Sequence, residues 1–305
     1  MKLRFASYLA PILYDTYQSI ADYIGAQLGV ATTLTVGRSL QEFAQGQVDI
    51  GFTCGLPYAL LADSYQGDRK GRPYNITLDA HKVDSYQGDR KGRPYNITLN
   101  AHKVDRFFCP FELLAAPVLL GERYHDRPIY YSDVVVRRDS SYASCDDLQG
   151  CRWAYNQPES HSGWNLVCYS LLKQGKTPTF FGQLIQSGSH QRSLDLVLAG
   201  QADAAAIDSH VLDVFLARDK AAATALRVIE KLGPSSIPPI VVATSLDPAL
   251  KRRIQDVLLV MHENAHAARV LHEGAIVRFA RVCDGDYDDL REMYRLVKRS
   301  GLLTV

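Results

Sequence analysis

The sequence predicts an α/β fold in two lobes, and three observations carry that reading. Strand and helix signals alternate from the first residues, which favours strands joined through crossover helices into largely parallel sheets. The alternation lapses and then begins again near Ser144, as two similar units would. A length of 305 residues suggests two domains or lobes rather than one.

Leu3 to Ala6 reads as a strand, and Pro11 opens an apolar-periodic helix that ends at Gly29. Thr32 to Val36 is a second strand; Ser39-Leu-Gln-Glu42 then has capping-box spacing for a second helix. Val48 to Thr53 is a third strand, followed by Cys54-Gly-Leu-Pro-Tyr58. Ile129 to Val136 is rich in strand formers. Beyond it, strands at 151–155, 184–187 and 203–207 alternate with helices at 162–174 and 190–199. Pro238-Pro239 precedes a last strand, Ile240 to Ala243, after which the pattern reads as helical to the end. Residues 1–130 and 241–305 are thus expected in a first lobe and 131–240 in a second, with two crossover segments and a cleft between.

Residues 63–104 break this pattern. Asp63 to Val83 is repeated at once as Asp84 to Val104, and the copies differ only at Asp79 and Asn100. Two copies are too few to build a solenoid core, so an exposed loop or paired hairpins inserted in the first lobe is expected. Arg69, Lys70 and Arg72 recur as Arg90, Lys91 and Arg93, which leaves a basic docking surface as the alternative. Asn75-Ile-Thr77 and Asn96-Ile-Thr98 match the glycosylation pattern only weakly without a secretory context.

Composition narrows the function classes. Lys plus Arg number 34 against 33 Asp plus Glu, so no global field selects nucleic acid or a membrane surface. No apolar run approaches the length needed to span a bilayer, and Met-Lys-Leu-Arg-Phe runs into a strand pattern with no signal-peptide reading. Six scattered cysteines show no paired CxxC spacing, so neither a zinc site nor a disulfide framework is indicated, although Cys145 and Cys151 could approach each other.

The chemistry concentrates at Asn156-Gln-Pro-Glu-Ser160-His161-Ser162-Gly163-Trp164, between an expected strand and an expected helix. The first N–H groups of a helix have no intrahelical acceptor, and the aligned peptide dipoles make that end partly positive, so anions bind there without a lysine. A plain serine cap is the competing reading. Ligands of open α/β sheets bind beyond the carboxyl ends of strands, and Tyr58, Ser160, Ser162, His190 and Asp208 all follow expected strand ends. Asp208 equally suits a helix cap before Ser209-His-Val-Leu, and His190 a surface histidine in a first turn.

The order of Tyr130 to Ser140, Asp147-Leu-Gln-Gly150, Pro158 to Gly163, Ser187-Gly-Ser-His190, Ala202 to Ser209 and Ile237 to Val242 resembles the phosphonate, phosphite and phosphate solute-binding family of ABC importers. The resemblance covers nearly the whole chain apart from residues 63–104. It implies the type II periplasmic binding-protein fold, a non-enzymatic receptor closing on a small phosphorus oxyanion, an ABC permease as partner, and no cofactor. The family's oxyanion loop falls on Ser160, His161, Ser162 and Gly163, its histidine on His190 and its acidic or amide residue on Asp208. Pocket tyrosines fall on Tyr58 and Tyr130. A neutral histidine and hydroxyls can donate to an oxyanion, whereas a carboxylate only accepts, so Asp208 would favour a proton-bearing phosphorus oxyacid over sulfate. The resemblance implies a periplasmic location, whereas the start of the chain reads without an export signal. A cytoplasmic enzyme or a ligand sensor on the same fold is therefore the alternative.

His262-Glu-Asn-Ala-His266 matches HExxH, with His272 in the place of a third zinc ligand. Arg269 occupies the position where a turning glycine is needed, and the segment reads as continuous helix, so a solvated helix face is expected.

Overall fold

The computed structural model describes residues 1–66 and 109–302. The tandem copies from residue 67 onward, with the loop, hairpins or basic surface expected of them, lie outside the described residues.

One six-stranded sheet runs in the order β2 (Ala31–Val36), β1 (Lys2–Ser7), β3 (Ile50–Phe52), β10 (Ile240–Ala243), β4 (Phe111–Leu119), β11 (Ile276–Ala280). A five-stranded sheet runs in the order β7 (Gln183–Gln186), β6 (Arg152–Tyr155), β8 (Ala204–Asp208), β5 (Ile129–Arg137), β9 (Leu226–Ser236). The chain passes between the sheets once from β4 to β5 and once from β9 to β10, so the two-lobed α/β architecture is as expected. The sheets are mixed rather than largely parallel. β1 pairs in parallel with β2 and β3, and β6 with β7 and β8, but β10 is antiparallel to both its neighbours and β5 to both of its own. A strand arriving from the other lobe enters its sheet without a crossover helix to fix its direction.

Periodicity explains the regular elements. In α1 (Tyr14–Leu28), Tyr17, Ile20, Ala21 and Ile24 form the buried stripe, and Gly29 ends the helix in the left-handed conformation. The second helix is a single short turn, α2 (Gln41–Ala44); Ser39 Oγ accepts from Gln41 N–H, and Glu42 reaches back to Arg38 N–H. α3 (Gly55–Gln66) includes the first residues of the expected insertion, and Asp63 is paired with the buried Arg291. α4 (Leu166–Lys173), α5 (His190–Leu198), α6 (Ser209–Arg218) and α7 (Lys220–Ala225) belong to the β5–β9 segment; α8 (Pro248–Val260), α9 (Ala265–Glu273) and α10 (Asp288–Arg299) follow. Every residue of β8 is buried, and its alanines allow close packing on both faces.

Three strands are not evident from sequence. β4 carries Pro117, which argues against an interior strand, yet this strand lies between β10 and β11. β9 is an edge strand with mostly polar or exposed positions. β11 falls within the stretch read as helical to the end. The HExxH segment is also not one helix: His262 sits in a 3-10 turn, Asn264 is extended and caps α9, and His266 lies in the first turn of α9. The two histidines therefore do not share a helix face.

Several contacts hold the lobes together. The His210 ring on α6 is hydrogen-bonded through Nε2 to the Gly274 carbonyl at 2.6 Å, and Arg218 donates to the Ile12 carbonyl. α10 touches both cores: Leu290 packs with Leu56, Tyr58 and Phe111, while Val297 packs with Trp153 and Trp164.

Candidate functional site

β6 delivers the chain to the Ser160 turn, and the helix expected at 162–174 opens as a π-helical turn, His161–Asn165, before α4. Ser160 caps that turn, its Oγ accepting from Gly163 N–H at 3.0 Å. Trp164 and Asn165 N–H both donate to the Ser160 carbonyl. A wider first turn leaves the N–H groups of His161 and Ser162 without a backbone acceptor among the described residues. Gly163 is required for space: a Cβ there would lie 1.7 Å from Asn156 Oδ1.

Ser162, His190 and Tyr130 form one buried network. Ser162 Oγ lies 3.1 Å from His190 Nε2, and the Tyr130 side chain is hydrogen-bonded to Ser162. Asn156 Nδ2 approaches the same His190 nitrogen at 3.4 Å. Nε2 thus faces both the Ser162 hydroxyl and the Asn156 amide, and it accepts where either of them donates. Nδ1 lies toward the Ala206 carbonyl without a well-aligned hydrogen bond. Burial pushes the His190 pKa down to about 4, which keeps the ring neutral near pH 7. The imidazole therefore orients the Ser162 hydroxyl, where sequence reasoning expected it to donate outward.

His161 and Tyr58 are placed differently from expectation. The His161 ring is fully buried, with Nδ1 accepting from Asn165 Nδ2 at 3.1 Å and Nε2 facing Ser235 Oγ at 2.9 Å. Both ring nitrogens are occupied, and burial lowers the pKa to about 3. Only its backbone N–H faces the crevice, where it meets Cys54 of the first lobe. Tyr58 stands on α3 and donates to Asp284 Oδ1 at 2.9 Å, with its ring against Phe111 and Tyr287. Asp284 is in turn held by Arg291, so this tyrosine's hydroxyl is committed to the first lobe's own structure.

Asp208 is both the last residue of β8 and the cap of α6, Oδ1 accepting from His210 and Val211 N–H. It is 9% exposed, and burial lifts its pKa to about 7. Tyr17 of α1, Tyr130 of β5 and Cys54 are its electrostatic neighbours in the crevice. Among the described residues, no lysine or arginine pairs with Asp208, Ser160, Ser162, His190 or Tyr130. The structure thus brings Tyr130, Ser160, Ser162, His190 and Asp208 together, with His161 contributing through its backbone. Sequence reasoning missed Tyr17, Cys54 and Asn156. Cys54 and Tyr17 are brought near Asp208 by tertiary packing of distant segments, whereas Asn156 was legible as the first residue after β6. No cluster of three or more His, Cys, Asp or Glu side chains that could hold a metal ion is present among the described residues. No helix among them is long and apolar enough to cross a membrane.

Known proteins share sequence features or the fold with this chain. The family model described as the ABC transporter phosphonate periplasmic substrate-binding protein matches residues 108–287. A binding protein component of an ABC phosphonate transporter from Pseudomonas aeruginosa superposes with a TM-score of 0.72 at 17% identity, over 98% of this chain and 87% of that one. A Prochlorococcus marinus protein in complex with methylphosphonate gives 0.72 at 15% identity, over 97% and 98% of the two chains. A Xanthomonas citri protein bound to ATP gives 0.61 at 16% identity, over 100% and 99%. At such identities the likeness speaks for the fold, which is that of the type II periplasmic binding proteins. A local match to transferrin from Blaberus discoidalis, 35% identical over 57 residues, covers 18% of this chain and only 8% of that protein. With the family match spanning more than half its length, the chain belongs to the phosphonate-binding family of ABC-transporter periplasmic substrate-binding proteins.

Proposed function

We propose that this protein captures a small phosphorus oxyanion, phosphonate-like in chemistry, in the crevice between its lobes and presents it to an ABC permease. The observation that carries this reading is the cation-free cluster of Tyr130, Ser162, His190 and Asp208 around the Ser162 N–H, which has no backbone acceptor, and the His161 N–H, which meets only the Cys54 sulfur. Backbone N–H groups and the dipole of the following helix receive the anionic oxygens. Asp208 accepts a hydrogen bond from a guest oxygen that carries a proton. Sulfate, which has no such proton near neutral pH, would set acceptor against acceptor. Family membership and the methylphosphonate bound by the Prochlorococcus marinus relative support the same ligand class.

Because the cluster is buried, a guest enters only when the lobes part, and closure then completes the donor set and excludes water. Guest binding shifts an open-to-closed equilibrium that a permease can read. Isothermal calorimetry with methylphosphonate, 2-aminoethylphosphonate, phosphite, phosphate and sulfate tests this. Binding of at least one phosphorus ligand with sulfate rejected is expected; a folded protein that binds none of them would overturn the assignment.

A further inference from the structure

The first lobe's half of the crevice is a helix start with an unusually weak cap. α3 follows β3 directly, and the Cys54 carbonyl accepts the Tyr58 N–H, which makes Cys54 the cap residue. Its sulfur lies against the backbone N–H groups of Gly55 and Leu56 and, across the crevice, of His161. Ser, Thr, Asp or Asn ordinarily fill this place, because an oxygen accepts such bonds far better than a thiol does. Three N–H groups from two lobes thus converge on a poor acceptor.

A second observation comes from the buried polar groups. Thr53 Oγ1, Asn156 Oδ1 and Asn165 Oδ1 are three of the seven buried side-chain atoms without a partner among the described residues. Thr53 directly precedes Cys54, while Asn156 precedes and Asn165 ends the facing turn of the second lobe. Buried polar groups are normally satisfied, so such a concentration points to a polar guest rather than to packing.

We infer that the Cys54–Leu56 corner is the first lobe's contribution to the guest site, and that Cys54 is a specificity-determining residue favouring oxyanions with one non-oxygen substituent. This deepens the proposed function and rests on it. The three N–H groups take guest oxygens once the sulfur turns aside, at little cost because its hydrogen bonds are weak. The thiol is neutral near pH 7, burial raising its pKa to about 11. It packs well against a P–C or P–H group, whereas a fourth oxygen facing it would be desolvated without a good donor.

The test is the ratio of methylphosphonate to inorganic phosphate affinity, measured by calorimetry for wild type, Cys54→Ser and Cys54→Ala. Serine supplies a strong hydroxyl donor, so C54S is expected to shift the ratio toward phosphate by about tenfold or more, and C54A by much less. In wild type, saturating methylphosphonate should slow iodoacetamide labelling of Cys54 at least about tenfold, followed by mass spectrometry of the peptide containing it. A ratio within twofold of wild type in C54S, or labelling unaffected by ligand, overturns the role of Cys54. Failure of wild type to bind any phosphorus oxyanion overturns the underlying assignment instead, so the two failures are distinguishable.

Discussion

The crevice is built from two strand-to-helix corners of the same design, and they use their side chains differently. At the first-lobe corner, Cys54 to Tyr58, the large polar group is consumed internally: Tyr58 donates to Asp284, which is clamped by Arg291. At the second-lobe corner, Asn156 to Gly163, the polar groups form a connected network through Ser162 and His190 that ends in unsatisfied atoms. One corner spends its large side chain on a structural joint, and the other keeps the polar network on which the proposed binding role rests. A polar residue beyond a strand end is a candidate for binding only until its partners are known.

The sharpest way to break this contrast is the glycine at each corner. Gly163→Ala places a Cβ 1.7 Å from Asn156 Oδ1, and both the turn and Asn156 must shift. We expect phosphonate affinity to fall on the order of a hundredfold and stability to drop by about 2 kcal/mol, read by calorimetry and thermal melts. Gly55→Ala meets the flexible tip of Leu290 at 2.8 Å and the Tyr287 ring at an ordinary 3.5 Å, so about 1 kcal/mol or less of stability is expected to be lost. Equal losses from the two substitutions would erase the distinction between the corners.

Ser162→Ala removes the hydroxyl that joins Tyr130 to His190 and should weaken phosphonate binding roughly tenfold, with the folded state retained by circular dichroism. Affinity within twofold of wild type would remove Ser162 from the site.

Asp208→Asn tests the charge logic. A carboxyl raised to about 7 by burial contributes stability that is fully present below its unfolded value of 3.8 and lost as pH rises through 7. Its neighbours supply no compensating cation: Tyr17, Tyr130 and Cys54 are neutral there, and Asp133 and Asp213 repel it. The ionised carboxylate therefore accepts from a guest oxygen that keeps its proton and repels a guest that has lost it. Wild-type phosphonate affinity should fall about threefold to tenfold between pH 6.5 and 8, and Asp208→Asn should flatten that dependence. A wild-type profile that is flat from pH 6.5 to 8 would count against the buried, uncompensated carboxyl.

The smallest effect is expected at the joint. Tyr58→Phe removes one hydrogen bond to Asp284, costing about 1 kcal/mol of stability while leaving phosphonate affinity within about threefold. A tenfold loss of affinity would return Tyr58 to the binding surface.

Much of this architecture was legible in the sequence. Strong periodicity identified α1 and α5, and continuous apolar runs identified β5, β6 and β10. Pro117 and the polar edge hid β4 and β9, because a strand's propensity says little when its neighbours decide its burial. At the candidate site, the serines, Gly163, His190 and Asp208 stood out in sequence because they follow or end strands with types suited to anions. Local spacing could not say that the His161 ring turns inward to Ser235 and Asn165, or that the Tyr58 hydroxyl is taken by a residue 226 positions away.

The sequence by itself determined the alternation of elements, the family motifs and the absence of a cationic field. Those are properties of neighbouring residues and of composition, and they survive without a fold. Tertiary structure alone decided which polar atoms are consumed, which remain unpaired, and that Cys54, Tyr17 and Asp208 meet across the crevice. Hydrogen bonds and burial depend on distances between segments far apart in the chain, and only the packed lobes set those distances.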